Sequence, residues 1–134
     1  MTTRYVRLVG RCADYEDYPM YLDAPVETTE EGTSMITKAI MCGFMGKMGG
    51  EFHPMVLRKD KSEHSPHFPF VMDFGSGCAE YERYYWTNLP IKRIAKGAQF
   101  TIGFPGEEPH SFEEAIYKIV EIIDPVRQQA IDTL

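Results

Sequence analysis

The sequence predicts an α+β domain that is mostly β, a small antiparallel barrel or strongly bent sheet of about six or seven short strands with one or two short helices. Three apolar, aromatic runs separated by turn-forming residues carry this prediction, and they span residues 68–74, 81–86 and 100–104. Aromatic and β-branched side chains pack well on a pleated sheet and lose rotamer freedom in a helix. The aromatic fraction of 13% also supplies large rings for a small core.

The size and composition predict one globular domain that spans residues 1–134. The net charge of -6 opposes non-specific binding to nucleic acid, because phosphate contacts need cations. Three well-separated cysteines, Cys12, Cys42 and Cys78, favour a reducing compartment over a disulfide framework. The sequence has neither a secretory signal pattern nor a run of roughly 18 apolar residues, so we expect a cytoplasmic protein that does not enter membranes.

The first third of the chain predicts one strand and one ambiguous element. Residues 4–12 alternate imperfectly and predict a strand with Val6 and Leu8 facing inward. The acidic, tyrosine-rich run that follows predicts a loop and a short edge strand, because Pro19 cannot donate a ladder hydrogen bond within a central strand. Residues 33–44 fit both a capped helix and a buried strand, and we lean to the helix.

The middle of the chain predicts a loop followed by strands. Four glycines within residues 43–50 predict a mobile, methionine-rich loop. A strand over residues 51–58, interrupted by Pro54, is expected to form a hairpin with the strand that begins at Phe68. The clearest strand covers residues 98–104, where Phe100, Ile102 and Phe104 line one face.

The C-terminal part contains conflicting local signals. Ser111 and Glu114 match a capping box, the pattern that satisfies free backbone donors at the start of a helix. Residues 116–123 are instead rich in side chains that favour strands. We expect a helical turn over residues 111–115, a strand over 116–123 and a short helix over 126–134, although one continuous helix fits nearly as well.

Two sets of apolar residues predict exposed contact surfaces, the kind of patch that marks an interaction site. The first set, next to acidic residues, is Tyr15, Tyr18 and Tyr21, and tyrosine combines a large contact area with a hydrogen-bonding tip. The second set, next to glycines, includes Phe44 and Met45. We therefore predict a non-enzymatic binding module that contacts a protein partner or self-associates.

Single-stranded nucleic-acid binding is the alternative function. Tyr84 and Trp86 precede the basic residues Lys92 and Arg93, and stacking rings beside cations are the means by which small barrels hold single strands. The ordinary structural explanation is a core strand followed by a solvated basic turn. The overall negative charge also counts against strong affinity for phosphates.

A small zinc site is the remaining alternative, and no other cofactor is predicted. Its four candidate ligands are His53, His64, His67 and Cys78, because zinc prefers nitrogen and thiolate donors in a tetrahedral shell. The spacing matches no standard zinc motif, and histidines in a polar loop usually have no ligand role.

No assembled catalytic set is evident in the sequence, so we expect a protein that is not an enzyme. Met48 follows Lys47 where a phosphate-binding loop places a serine or threonine for magnesium. Ser76 lies between glycines, but the surrounding residues do not match the nucleophile motif of hydrolases.

Overall fold

Nine antiparallel strands form one sheet in the computed structural model, which describes residues 2–37, 40–46, 52–59, 68–75, 84–106, 108 and 111–124. The strands are β1 (Thr2–Arg11), β2 (Met20–Thr28), β3 (Ser34–Ile36), β4 (Ile40–Gly46), β5 (Phe52–Lys59), β6 (Phe70–Asp73), β7 (Tyr84–Thr87), β8 (Gln99–Pro105) and β9 (Phe112–Ile123). Two single-turn 3₁₀ helices cover Ala13–Tyr15 and Leu89–Ile91.

Eight of these strands close into a barrel. Going round the wall, the order is β1, β9, β8, β7, β6, β5, β4 and β2, and β2 pairs again with β1. The ninth strand, β3, pairs with the last three residues of β2. The wall is therefore an up-and-down meander, and closure removes the exposed edges that an open sheet would present.

The predicted mostly-β antiparallel barrel is confirmed, whereas the finer description of it is not. The sheet has nine strands rather than six or seven, and the described residues contain no helix longer than a single turn. The inward direction of Val6 and Leu8, the hairpin of β5 with β6, and the strand around Ile102 are all as predicted. The segments 81–83 and 126–134 lie outside the described residues.

The helix favoured over residues 33–44 is wrong. Ser34–Ile36 forms β3 and Ile40–Gly46 forms β4, which pairs with both β2 and β5. A short apolar run fits the periodicity of a helix and that of a strand. Pairing with other strands decides between the two structures, and those strands are distant in sequence. β4 also includes Gly43 and Gly46. The glycines in this part of the sequence had predicted a loop that begins at residue 43.

The helical turn expected over residues 111–115 is also wrong, because Phe112–Ile123 is one continuous strand. The Ser111 hydroxyl donates to the Glu108 carbonyl oxygen at 2.6 Å, which closes the turn between β8 and β9 instead of capping a helix. Serine makes such local bonds in turns as readily as at helix starts. The strand expected over 116–123 is confirmed.

The short edge strand expected after Pro19 is instead a central strand. β2 begins at Met20, directly after this proline, and lies between β1 and β4. Pro19 therefore limits where the strand starts and has no effect on its position in the sheet.

Pro25 lies within β2, at the point where this strand exchanges one neighbour for another. Pairing with β4 ends at Asp23, and pairing with β3 begins at Val26. The Pro25 carbonyl accepts a hydrogen bond from the Thr37 N–H at 3.4 Å. Both polar groups of a residue in an antiparallel ladder point to the same neighbour. The N–H that proline lacks would therefore face the interruption between β3 and β4.

Alternate side chains from all eight strands of the wall fill the barrel interior. Those with almost no water-accessible surface include Leu8, Met20, Leu22, Leu57, Met72, Ile102 and Ile119. Gly10 faces the same interior, where a Cβ atom would lie 2.7 Å from Cζ of Phe100. The middle of the barrel is therefore a packed core, as small barrels of this strand number allow.

One end of the barrel is covered by the segment between β7 and β8. Leu89 and Ile94 are buried there, together with Phe68 from the segment before β6. The Ile94 N–H donates to the Ser34 carbonyl at 2.8 Å, which ties this cover to β3. We call this the covered end.

Candidate interaction surface

The connection between β1 and β2 folds against the other end of the barrel. The Tyr117 hydroxyl, from inside the barrel, donates to the Tyr18 carbonyl at 2.9 Å. The Gly46 N–H donates to the Pro19 carbonyl at 3.0 Å, and the Tyr18 N–H donates to the Tyr15 carbonyl at 3.0 Å. The loop 12–19 is therefore anchored both to the interior and to the wall.

Four rings form a chain of contacts at this end, which we call the aromatic ladder. Its members are Phe74, Tyr85, Phe104 and Tyr15, with successive ring centroids 5.1, 5.6 and 5.6 Å apart. Two of the three contacts are edge-on and one is tilted, arrangements that suit the charge distribution of aromatic rings. The first three rings are half-buried against the core, and Tyr15 is 36% exposed. The ladder thus reaches from the core to the surface.

Carboxylates surround the exposed part of the ladder. Asp14, Glu16 and Asp17 are exposed on loop 12–19, and Glu108 and Glu113 are exposed at the turn between β8 and β9. We call this region the acidic end. The basic side chains among the described residues near this end include Arg11, the exposed Lys118 opposite it on β9, and His53.

The electrostatics of Tyr15 reflect these neighbours. Partial burial is the main cause that raises the pKa of its phenol, and the carboxylates of Glu113 and Asp14 raise it further. Both causes disfavour a negative charge at this position. The ring is therefore neutral at physiological pH and lies in a negative local potential.

The predicted tyrosine surface is divided between two places. Tyr15 and Tyr18, at 36% and 38% exposure, lie at the acidic end. Tyr21 lies on the outer wall of β2, where its ring stacks on Phe44 with centroids 4.5 Å apart. Tyr21 is therefore part of a strand, whereas Tyr15 and Tyr18 belong to loop 12–19.

Phe44 and Met45 were expected on an exposed loop, and the structure contradicts this. They are only 8% and 5% exposed, because both belong to β4. Met45 faces the barrel interior, and Phe44 packs under Tyr21 on the outer wall. Glycine here serves strand packing, since a Cβ atom at Gly43 would collide with the Tyr21 carbonyl oxygen.

Arg7 completes the cluster on the outer wall. Its guanidinium lies 5.5 Å from the centre of the Phe44 ring. It also forms two hydrogen bonds with the Asp23 carboxylate, at 2.8 and 3.0 Å. The Asp23 carboxylate is the main cause that raises the pKa of Arg7, so the guanidinium stays charged. Arg7 is therefore held by an aromatic ring and a carboxylate together.

The residues proposed for nucleic-acid binding lie on β7 and at the covered end. Tyr84 and Trp86 are half-buried on β7, where Trp86 pairs with Val71 and Gly103 of the neighbouring strands. Lys92 and Arg93 are exposed at the covered end, after Leu89–Ile91. Nucleic-acid binding stays a prediction.

Of the four proposed zinc ligands, the structure describes only His53, which is half-buried on β5 opposite Met45. His64, His67 and Cys78 lie outside the described residues. Within the described ranges, no three histidine, cysteine or acidic side chains converge on a point that would suit a metal ion. The zinc site stays a prediction.

Sequence reasoning missed most of the aromatic ladder and the anchor that Tyr117 provides. Phe74, Tyr85 and Phe104 were recognised only as members of the aromatic runs 68–74, 81–86 and 100–104. Their shared feature is that each is the inward-facing ring nearest a turn at the same end of the barrel. This shared position can be recognised only when the strand order is known.

Comparison with protein-family models, with curated proteins and with solved structures found no match to this chain. Among the residues that the structure describes, no helix has the length and apolar character needed to cross a membrane. The function is therefore inferred from the surface of the chain itself.

Proposed function

We propose that this protein is a non-enzymatic, cytoplasmic binding module that contacts a protein partner through the acidic end of its barrel. The observation that carries the proposal is the pair of exposed tyrosines, Tyr15 and Tyr18, on a loop anchored by Tyr117 and Gly46. Large rings held in place lose little conformational entropy when they bind, which makes them effective anchors of protein interfaces.

The packed interior supports a surface function over storage of a cargo molecule. Barrels of eight strands either fill their interior with side chains or hold one small ligand there. Here Leu22, Leu57 and Met72 in the middle of the barrel have no accessible surface. A ligand of any size would have to displace this core, so the rim and the walls are the surfaces available for contact.

The cysteines support the cytoplasmic part of the proposal. Cys12 is buried in the core and Cys42 is exposed on the outer wall, and both are free. An exposed free thiol suits a reducing compartment, where it is not driven into a disulfide.

Affinity capture from a cell extract tests the proposal. The bait variant Tyr15→Ala/Tyr18→Ala should lose the proteins that wild type retains, because truncating two central aromatic anchors typically costs about 2 kcal/mol or more each. The matched control is Ile91→Ala/Ile116→Ala, which removes two exposed apolar side chains elsewhere and should retain the same proteins. Circular dichroism checks that all three baits are folded.

The self-association alternative is separated by light scattering over a range of protein concentrations. A dimer that disappears in the tyrosine variant and persists in the isoleucine variant would identify a second copy of this chain as the partner. Equal capture and equal oligomeric state for both variants would contradict the proposal.

A further inference from the structure

We infer that the interior of the barrel, next to the acidic end, binds a soft monovalent metal ion, copper(I). Its donors are the thiol of Cys12, the thioethers of Met20 and Met45, and the imidazole of His53. The inference concerns the interior of the barrel, so it goes beyond the proposed function and does not depend on it.

Strand pairing places three of these side chains in one row across the wall. Met20 on β2 is directly opposite Met45 on β4, and Met45 is directly opposite His53 on β5. Side chains at directly opposite positions of an antiparallel pair project from the same face, with Cβ atoms about 4.5–5.5 Å apart. Both methionines belong to the buried core. The row, His53 included, therefore faces the barrel interior.

Cys12 reaches the same region from β1. Gly10, two positions earlier, pairs with Met20 and faces the interior. Cys12 keeps an extended backbone just beyond the end of β1, so it shares the inward face with Gly10. Its side chain is 5% exposed and belongs to the same core cluster as the two methionines. Three sulfur atoms and one imidazole thus come from four consecutive strands of the wall.

The thiol and the imidazole have no competing interaction. Within the part of the chain that the structure describes, neither the Cys12 thiol nor the His53 side chain takes part in a hydrogen bond or an ion pair. Buried polar groups normally have a partner, and one that lacks it calls for an explanation such as an ion that it binds. The lone pairs of both side chains are therefore available to a metal ion.

The chemistry of this donor set selects copper(I) over zinc. Thiolate and thioether sulfur are soft ligands that favour copper(I), whereas zinc sites use thiolate, imidazole and carboxylate donors. Copper(I) carries one positive charge, which the Cys12 thiolate neutralises once the thiol has released its proton. The bound site then has no net charge and suits an apolar interior, where an uncompensated charge is costly. Zinc would leave one positive charge there.

A single ion can bind here without displacing the core. Methionine has three rotatable bonds and adapts to irregular spaces, so small rotations can turn the sulfur atoms of Met20 and Met45 toward an ion. His53 is half-buried near the start of β5, between these sulfur atoms and solvent. It gives copper(I) a first ligand on the way to the softer donors inside.

Competition for copper(I) with the coloured chelator bicinchoninate, under anaerobic and reducing conditions, tests the inference. The full chain carries Cys42→Ala/Cys78→Ala, because these substitutions remove its other two thiols. We expect about one copper(I) ion per chain, bound about a hundredfold or more tightly than zinc measured with a zinc indicator. Copper(I) should also raise the midpoint of urea unfolding, since an ion that binds only the folded chain stabilises it.

Matched methionine variants localise the site. Met45→Leu removes a sulfur and conserves volume, so it should stay folded and weaken copper(I) binding about tenfold. Met41→Leu is the control, because Met41 is buried on the same strand opposite Leu57, and it should change the affinity less than about twofold. Circular dichroism of the metal-free chains checks their fold. Equal effects of the two leucine variants would overturn the inference.

The thiol variants complete the test. Cys12→Ala should weaken copper(I) binding about a hundredfold or more, because the only charged donor is lost. Binding that depends on Cys42 or Cys78 instead of Cys12 would show an ion held only by other thiols, and it would overturn the inference. Zinc bound as tightly as copper(I) would also overturn it. Capture of a partner through Tyr15 and Tyr18 has no bearing on these outcomes, so the two proposals stand or fall separately.

Discussion

Gly10 shows how one residue sets the space available inside the barrel. It faces the interior on β1, opposite the rings of Phe100 and Tyr117, whose centroids are 5.8 Å apart. A Cβ atom at Gly10 would lie 2.7 Å from Cζ of Phe100 and 3.6 Å from Cδ2 of Tyr117. The absence of a side chain at this position lets both rings fit between the walls.

Gly10→Ala should therefore lower the free energy of unfolding by about 1–3 kcal/mol, the usual cost of overpacking a core. Urea denaturation measures the change. The double variant Gly10→Ala/Phe100→Leu is the control, because a smaller side chain at position 100 leaves room for the new methyl group. Its cost should be less than the sum of the two single costs, and strict additivity would contradict the explanation.

Tyr117 connects the core to the interaction surface at the scale of a single hydroxyl. Burial is the main cause that raises the pKa of its phenol far above the usual range. The hydroxyl donates to the Tyr18 carbonyl, so the neutral form also holds loop 12–19 in place. Ionisation of this group would lose the donated hydrogen bond and leave a buried negative charge.

Stability should consequently fall as the pH rises above about 10, where the unfolded chain releases this proton and the folded chain keeps it. The stabilisation is complete below the unfolded pKa and is lost above it. Urea unfolding at about pH 8 and pH 11 should show a smaller drop for Tyr117→Phe than for wild type. Tyr5→Phe, at an exposed tyrosine, serves as the control and should behave like wild type.

At the scale of elements, the covered end depends on two polar residues that follow β7. The Thr87 hydroxyl, which has no exposed surface, donates to the Thr101 carbonyl at 2.8 Å and accepts from the Leu89 N–H at 3.2 Å. The Asn88 side-chain carbonyl accepts from the Thr101 N–H at 2.8 Å. These bonds attach the turn Leu89–Ile91 to β8.

Thr87→Val keeps the shape of the side chain but leaves the buried Leu89 N–H without its acceptor. We expect a loss of about 1–3 kcal/mol in the free energy of unfolding, the cost of an unsatisfied buried donor. Thr87→Ser keeps the hydroxyl and loses one methyl group, so it should cost about 1 kcal/mol or less. A serine variant as unstable as the valine variant would show that the methyl group matters more than the hydrogen bonds.

Elements were predictable from the sequence where alternation is strong and unpredictable where two local patterns compete. β8 was clear because three rings or aliphatic chains alternate with small or polar residues, as at Phe100 and Ile102. Residues 33–44 and Ser111 have local patterns that fit helices and strands equally. Both segments form strands because they pair with β2, β5 and β8. These pairings cannot be deduced from the local sequence.

At the scale of the whole molecule, closure of the barrel depends on strands from opposite ends of the described chain. β1 pairs with β9, from Arg7 opposite Ile123 to Arg11 opposite Lys118. No local pattern predicts a contact over such a separation. Tyr15 and Tyr18 were recognisable as exposed rings from their acidic neighbours, whereas the aromatic ladder exists only because closure brings Phe104 to Tyr15.

A closed wall around one core should unfold as a single unit, because each strand is held on both sides. Unfolding followed by Trp86 fluorescence and by far-ultraviolet circular dichroism should give coincident curves. Leu8→Ala, in the buried part of β1, should shift both curves together by about 2–5 kcal/mol. Dichroism that persists after the fluorescence change would indicate that part of the wall unfolds separately.

The up-and-down path of the chain also decides how the molecule can be immobilised. β1 begins, and β9 finishes, on the side of the barrel away from Tyr15 and Tyr18. A support or fluorophore coupled ahead of Thr2 is thus separated from the tyrosines by the height of the wall. Measurements on a chip coated through the N-terminus should therefore present the tyrosine-bearing rim to the solution.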